Sequence, residues 1–309
     1  PFPNDEYTFG WVCTRDIEFE AAMGMMDEVH GVPQDINVNP DNNQYVLGSI
    51  GVCNVVVGCL PFDEFTSASA LIGFTCMLRS FPNIRFHLNV GTGAGMPNID
   101  QGADVRLGDV VLGKSTDKGA VVVCDFETKV QGRSYLEIAF ATNPPEQLGS
   151  AVEKLVSRHI KRPNTLVHHI EHMLHKYPDM RKRIFSPVSG GWDRLFPASE
   201  DHVGVSIFGR YWAKGVDRKP RQHGAPVSHV GTIACSDTLI RNALARDVIR
   251  DKYEAICLDH KLAGLAIEFP GLVIRGISDY ADSHADDCWQ PYAVASAAAC
   301  ARDVLLSFA

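Results

Sequence analysis

Residues 255–265 read Ala-Ile-Cys-Leu-Asp-His-Lys-Leu-Ala-Gly-Leu, and residues 269–280 read Phe-Pro-Gly-Leu-Val-Ile-Arg-Gly-Ile-Ser-Asp-Tyr. Each stretch is a short apolar run that stops at polar residues, which predicts two buried strands ending near Asp259 and Asp279. In an open α/β sheet, ligands bind beyond the carboxyl ends of the strands. The two runs therefore predict a site at this edge, although a solvated strand end is an equally simple interpretation.

Strand-like and helix-like sequence patterns alternate along the rest of the chain. Runs typical of strands alternate with helical spacing, for example in residues 7–13, 16–29, 52–60, 67–80 and 85–90. This alternation predicts an α/β protein with a largely parallel sheet. We expect a single domain over residues 1–309, in which the irregular segment 178–228 is a lid or an oligomer contact.

Composition narrows the function classes. The chain has 309 residues and a formal net charge of −8, which argues against a nucleic-acid-binding protein. No apolar run approaches the roughly 20 residues of a membrane span, so we expect no stable membrane insertion. The nine cysteines form no C-x-x-C pair, which is typical of buried thiols in a reducing compartment and predicts a cytoplasmic protein.

A glycine-rich string follows the predicted strand 85–90. It reads Gly-Thr-Gly-Ala-Gly at residues 91–95, and small residues let backbone N–H groups approach an anion closely. We therefore expect Gly91, Gly93 and Gly95 to bind an anionic group. The string is not the dinucleotide-binding fingerprint, because its third glycine comes one position early.

Four blocks of the chain, residues 7–13, 91–95, 104–111 and 273–284, resemble the purine nucleoside phosphorylase and nucleosidase superfamily, especially its fungal members. The resemblance implies a three-layer nucleoside-phosphorylase-like α/β fold with a twisted, largely parallel central sheet flanked by helices. It also implies a homo-oligomer, a glycine loop that helps to hold phosphate, and an acid at Asp279 that protonates the leaving purine.

Two departures from that superfamily bear on the substrate. The family usually carries Glu-Met-Glu where this chain has Asp-His-Lys at residues 259–261, and its second glutamate accepts hydrogen bonds from ribose hydroxyls. Lys261 has three donors and no acceptor, so it cannot perform that task. The adjacent acids Asp63 and Glu64 add two carboxylates where fungal relatives have small neutral residues.

This combination resembles a small branch of fungal humulene-type sesquiterpene cyclases that bind farnesyl diphosphate with a lysine and magnesium. Our first hypothesis is therefore a class I cyclase, in which Lys261 and Asp279 are catalytic and Mg²⁺ is held by Asp63, Glu64 and Asp259. The partner would be an isoprenoid diphosphate. Further residues are expected to surround it: Phe62, Phe65, Thr66, Ser67, Cys257, Leu258, His260, Arg275, Tyr280 and Trp289.

Two alternatives stay open at this point. In the first, the chain is a purine nucleoside phosphorylase or nucleosidase, with Asp279 as general acid and the glycines of residues 91–95 at the phosphate. In the second, it is a non-catalytic sensor domain of the same fold. Lys261 argues against the first alternative, because it removes an acceptor for the sugar.

Overall fold

The computed structural model describes residues 2–33, 41–60, 67–114, 116–126, 136–162, 165–184, 193–200, 215–221, 225–236, 238–260, 265 and 268–308. The strands in these ranges are β1 (Phe9–Cys13), β2 (Glu28–Gly31), β3 (Gln44–Ile50), β4 (Cys53–Cys59), β5 (Phe86–Gly95), β6 (Val110–Gly113), β7 (Val121–Phe126), β8 (Leu136–Thr142), β9 (Ser228–Ser236), β10 (Ala255–His260) and β11 (Leu272–Asp279). The helices are α1 (Asp16–Gly24), α2 (Ser67–Ser80), α3 (Glu146–Lys161), α4 (Thr165–Lys176), α5 (Ala243–Tyr253) and α6 (Gln290–Leu306).

All of these strands belong to one sheet, which partly closes on itself. The strand order is β2-β3-β4-β1-β5-β11-β6-β9-β7-β8, and β10 pairs with both β5 and β9. The pairings of β5, β11, β6, β9 and β10 therefore return to β5 and form a closed ring. The carboxyl ends of β5, β10 and β11 are brought together in this way.

The sheet is mixed, which corrects the prediction of a largely parallel one. Among the described strands, six pairings are parallel and five are antiparallel. The antiparallel pairs include β3–β4, whose turn passes through Gly51 at a φ of +56°, and β7–β8. Hairpins of this kind join neighbouring strands without the crossover helix that parallel pairing needs.

Helices cover both faces of the sheet. In β4, Val55 and Val57 lie in a core shared with α1, α3, α4 and α6, whereas Val56 lies in a core shared with α2. This alternation follows from the two-residue period of a strand and makes β4 apolar on both faces. The predicted arrangement of a sheet flanked by helices is confirmed in this respect.

The last helix packs very closely on the sheet. Most of α6 is buried, and a Cβ built on Gly276 of β11 would overlap the backbone carbonyl of Ala293. The alanine-rich sequence of α6 thus has a physical reason, because only small residues allow the helix backbone to approach the strand at this distance.

Some predicted boundaries were wrong. The helix predicted over residues 16–29 ends at Gly24, and Glu28–Gly31 is an edge strand that pairs with β3. The strand predicted to stop at Val90 continues to Gly95, because β11 and β10 pair with its end. In the irregular segment, residues 193–200 and 215–221 have no regular structure, and its role as a lid or contact stays a prediction.

Candidate active site

A cavity of about 360 Å³ opens where β1, β5, β10 and β11 end. Strands β5, β10 and β11 supply wall residues toward their carboxyl ends, and Thr14 and Arg15 follow directly after β1, as expected for this edge of the sheet. The cavity brings together several of the predicted site residues: Gly91, Gly93, Leu258, Asp259, His260, Arg275 and Asp279.

Asp279 is the last residue of β11, and its carboxylate is held by its neighbours. Oδ2 accepts a hydrogen bond from the Ser278 hydroxyl at 2.9 Å, and Oδ1 accepts one from the Ala281 backbone N–H at 2.8 Å. Burial raises the pKa of Asp279 and outweighs these hydrogen bonds, which act in the opposite direction. A carboxyl group with a raised pKa keeps its proton to higher pH and is therefore better suited to act as a general acid.

A second acid, Glu18, lines the same cavity and was missed by the sequence analysis. Glu18 is 6% exposed, and its Oε2 accepts hydrogen bonds from the Thr14 backbone N–H at 2.9 Å and the Thr14 hydroxyl at 3.2 Å. Burial raises its pKa despite these bonds and the nearby charges of Arg15 and Arg275. The sequence feature that could have identified Glu18 is its position in the first turn of α1, directly after strand β1.

The glycine string forms the end of β5 and not a loop. Gly91 and Gly93 pair with β11, and Gly95 pairs with β10. A Cβ on Gly93 would lie 2.8 Å from Cys257 Sγ, and one on Gly91 would lie 3.1 Å from Glu18 Oε1. The glycines thus let neighbouring strands and the Glu18 carboxylate approach the backbone, and their role in binding an anion stays a prediction.

Asp259 forms a buried ion pair with Arg275. Arg275 Nη2 donates to Asp259 Oδ2 at 2.7 Å, and the two side chains are 0% and 3% exposed. Asp259 Oδ1 accepts a hydrogen bond from the His260 backbone N–H at 2.8 Å. Both carboxylate oxygens are therefore engaged within the protein, which disfavours Asp259 as a magnesium ligand.

A second cavity of about 740 Å³ adjoins the first. The two share Thr14, Arg15, Asp287 and Gln290 in their walls. Arg15 is half-buried, and within the described ranges its side chain has no hydrogen bond or ion pair. A guanidinium in this position is suited to bind an anionic group.

A third cavity of about 240 Å³ shares Ser278, Asp279, Ala285 and Asp286 with the walls of the first. Tyr280 and Trp289, two of the predicted site residues, lie here together with Phe196, whose ring stacks on His284 with centroids 3.9 Å apart. Cys257 is fully buried and packs against β5 instead.

Several predicted site residues lie outside the described ranges. These are Phe62, Asp63, Glu64, Phe65, Thr66 and Lys261. Ser67 is the first residue of α2, and only its backbone is described. Within the part of the chain that the structure describes, no group of three or more His, Cys, Asp or Glu side chains could hold a metal ion. The magnesium site and the sesquiterpene cyclase hypothesis therefore stay predictions.

Comparison with solved structures shows the fold. The chain is similar to a 5′-methylthioadenosine/S-adenosylhomocysteine nucleosidase from Neisseria meningitidis, with 16% identity, a TM-score of 0.55 and coverage of 96% of this chain and 97% of the other. It is also similar to the futalosine hydrolase of Helicobacter pylori (11% identity, TM-score 0.56, coverage 96% and 97%). A variant of the H. pylori nucleosidase with 5′-methylthioadenosine in its active site gives 10% identity, a TM-score of 0.57 and the same coverage. The chain thus has the nucleoside phosphorylase and nucleosidase fold.

Sequence comparison gives a longer relative. A nucleotide-binding leucine-rich repeat (NLR)-like protein from Hyaloscypha variabilis is 35% identical over 309 residues, which cover 97% of this chain. The chain spans 29% of the length of that protein. No family model matches the chain. In the described residues, no helix has the length and apolar character needed to cross a membrane.

Proposed function

We propose that the chain hydrolyses the N-glycosidic bond of a purine nucleoside or of a nucleoside 5′-phosphate. The observation that carries this proposal is a pair of acids in one cavity, Asp279 and Glu18, both with pKa values raised by burial. Two carboxyl groups in one site commonly divide the roles of general acid and general base. The nucleosidase fold of the structural neighbours supports the same chemistry.

In the proposed reaction, Asp279 donates its proton to the purine ring as the bond between the sugar C1′ and the base nitrogen breaks. The base then leaves as a neutral molecule, and positive charge develops on the sugar. Glu18, in its ionised form, accepts a proton from the attacking water, whose oxygen bonds to C1′. One water is consumed, and the products are the free base and the free sugar.

The surroundings of Glu18 favour water over phosphate as the nucleophile. Its Oε1 lies close to Gly91, at the end of the strand where the sequence predicted an anion site. An ionised carboxylate there would repel a phosphate ion, because like charges at short range in a buried site are costly. Water carries no such penalty, so we propose hydrolysis and not phosphorolysis.

The second cavity supports a substrate that extends beyond the sugar. Arg15 lies between the two cavities, where its guanidinium could neutralise a phosphate on the substrate. Lys261, which lies outside the described residues, follows His260 directly in the sequence, and His260 lines the first cavity. A lysine in place of a sugar-binding acid, together with Arg15 between the two cavities, is consistent with an anionic substituent.

The proposal is tested by incubating the protein with adenosine, inosine, AMP and ATP and measuring free purine by chromatography, with and without inorganic phosphate. We expect free base and free sugar at a rate that does not depend on phosphate, and a faster rate for the phosphorylated substrates. Asp100→Asn, which changes an exposed acid outside the walls of the three cavities, is the matched control. Base release only with phosphate would contradict hydrolysis, and no base from any substrate would contradict the proposal.

A further inference from the structure

The chain turns sharply just after Asp279. Ala281 has a φ of +51°, in the left-handed region that costs an ordinary residue roughly 1 kcal/mol. In this conformation its backbone N–H donates to Asp279 Oδ1 at 2.8 Å. The turn brings a second acid, Asp282, back toward the first, and both line the third cavity. Strained backbone beside a candidate catalytic residue suggests a functional reason for the turn.

Asp282 is buried, and among the described residues its partners, the His284 ring Nδ1 at 4.0 Å and the His284 backbone N–H, both face Oδ1. It is 4% exposed, and its Oδ1 accepts a hydrogen bond from the His284 backbone N–H at 2.9 Å. Its Oδ2 is buried and has no hydrogen-bond partner among the described residues. Buried carboxylates are normally paired or fully hydrogen-bonded, so this oxygen needs an explanation.

Several charged groups face Asp279 from the elements around it. Burial is the largest cause of its raised pKa, the charge of Asp282 raises the pKa further, and the charge of Arg241 lowers it. Arg241 is exposed, so water and salt screen its effect, whereas Asp282 is buried and screened much less. Arg194, His284 and Asp286 also line the third cavity, and Glu18 and the Asp259–Arg275 pair line the first.

We propose that Asp282 is a positioning residue whose buried negative charge favours the protonated form of Asp279, the form that can donate a proton. The absence of a partner at Oδ2 among the described residues fits this role, because a cationic group bound there would offset the charge that acts on Asp279. The inference that the Asp279 proton is used in catalysis rests on the proposed function. The electrostatic effect of Asp282 on Asp279 does not depend on any substrate.

The effect of Asp282 on Asp279 can be measured directly by NMR and, separately, through the rate of base release. In protein labelled with ¹³C at the aspartate carboxyl groups, the Asp279 signal is assigned by its loss in Asp279→Asn and followed by NMR as the pH changes. We expect Asp282→Asn to lower the titration midpoint of Asp279 by about half a pH unit or more. The alkaline limb of kcat/KM for base release should move by the same amount, with activity largely retained at lower pH.

Three variants separate this effect from a structural role. Asp282→Glu keeps the charge and should keep the wild-type midpoint, while the exposed Asp100→Asn should have no effect. Asp282→Ser provides a second neutral variant if Asp282→Asn does not fold. An unchanged Asp279 midpoint in a folded neutral variant would overturn the inference. A shifted midpoint in a protein that releases no base would support it while contradicting the proposed function.

Discussion

The Asp259 carboxylate accepts a 2.7 Å hydrogen bond from the Arg275 guanidinium, and both side chains are almost completely buried. The pair lies in the wall of the main cavity, beside the two acids to which we assign the chemistry. It links the carboxyl end of β10 to the middle of β11, the strand that carries Asp279. The account predicts that Asp259 acts through this ion pair.

Removing Asp259 should therefore destabilise the protein strongly. Asp259→Ala leaves the Arg275 charge buried without its partner, which commonly costs about 3–5 kcal/mol. The free energy of unfolding, measured by urea titration, should fall by that amount. In the matched variant Asp251→Ala, which loses an exposed pair with Arg250, the loss should be below about 1 kcal/mol. Equal small losses in both variants would contradict the structural role.

Glu18 should be needed for the chemical step. Glu18→Gln keeps the shape of the side chain but cannot accept a proton from water, so kcat should fall by roughly 10²–10⁴-fold. Because Glu18 acts in its ionised form and its pKa is raised, wild-type activity should also decline as the pH falls through that pKa. The acid limb of the pH profile should disappear in the variant.

The control for Glu18 lies two residues further along the same helix. Glu20 pairs with Arg183 at the protein surface, and Glu20→Gln should leave kcat within a few-fold of the wild-type value. If Glu18→Gln retained wild-type kcat, water activation would have to be assigned to another group.

Gly276 should not tolerate a side chain. A Cβ at this position would overlap the Ala293 carbonyl of α6, so Gly276→Ala must push the helix away from β11. We expect a loss of roughly 1–3 kcal/mol or more in unfolding free energy. Gly149 in α3 has open space around it, and Gly149→Ala should stabilise the protein by roughly 0.5–1 kcal/mol. An unchanged unfolding free energy in Gly276→Ala would show that α6 is not packed as closely against β11 as described.

Stability should depend on pH through Asp303 of α6. Burial alone would raise the pKa of Asp303, but hydrogen bonds from His159 and His169 outweigh it and lower the pKa. A carboxyl group with a lowered pKa in the folded state stabilises the fold above the unfolded pKa of about 4, and this contribution is lost as the pH falls further. The unfolding free energies of wild type and Asp303→Asn should differ at neutral pH, and the difference should shrink progressively as the pH falls below about 4 toward the lowered folded-state pKa. A constant difference would contradict this assignment.

Much of the fold could be predicted from short patterns. The runs of β10 and β11 end at the polar residues that line the cavity, and the helices α2, α3 and α4 follow from their spacing. The mixed sheet could not be predicted, because periodicity defines a strand but not its neighbour. Strand β2 was missed for a related reason, since four residues with exposed and half-buried side chains carry little hydrophobic signal.

The site was only partly predictable. Asp279 was identified from its place at the end of an apolar run, and the cavity places it beside the predicted Asp259 and His260. Glu18 and Arg15 lie more than 240 positions earlier in the chain, and their approach to Asp279 depends on the pairing of β1 with β5. Sequence alone does not give that pairing, so it drew attention to Lys261 and the 62–67 segment instead.

The central claim is that Asp279 delivers the proton that releases the purine. The most direct test is the initial rate of free-base release from AMP by wild type and by Asp279→Asn, measured across the pH range. The account predicts release by the wild type that declines above the raised Asp279 pKa, and a rate at least about 10²-fold lower in the variant. A variant that releases base at the wild-type rate, with the same alkaline decline, would contradict it.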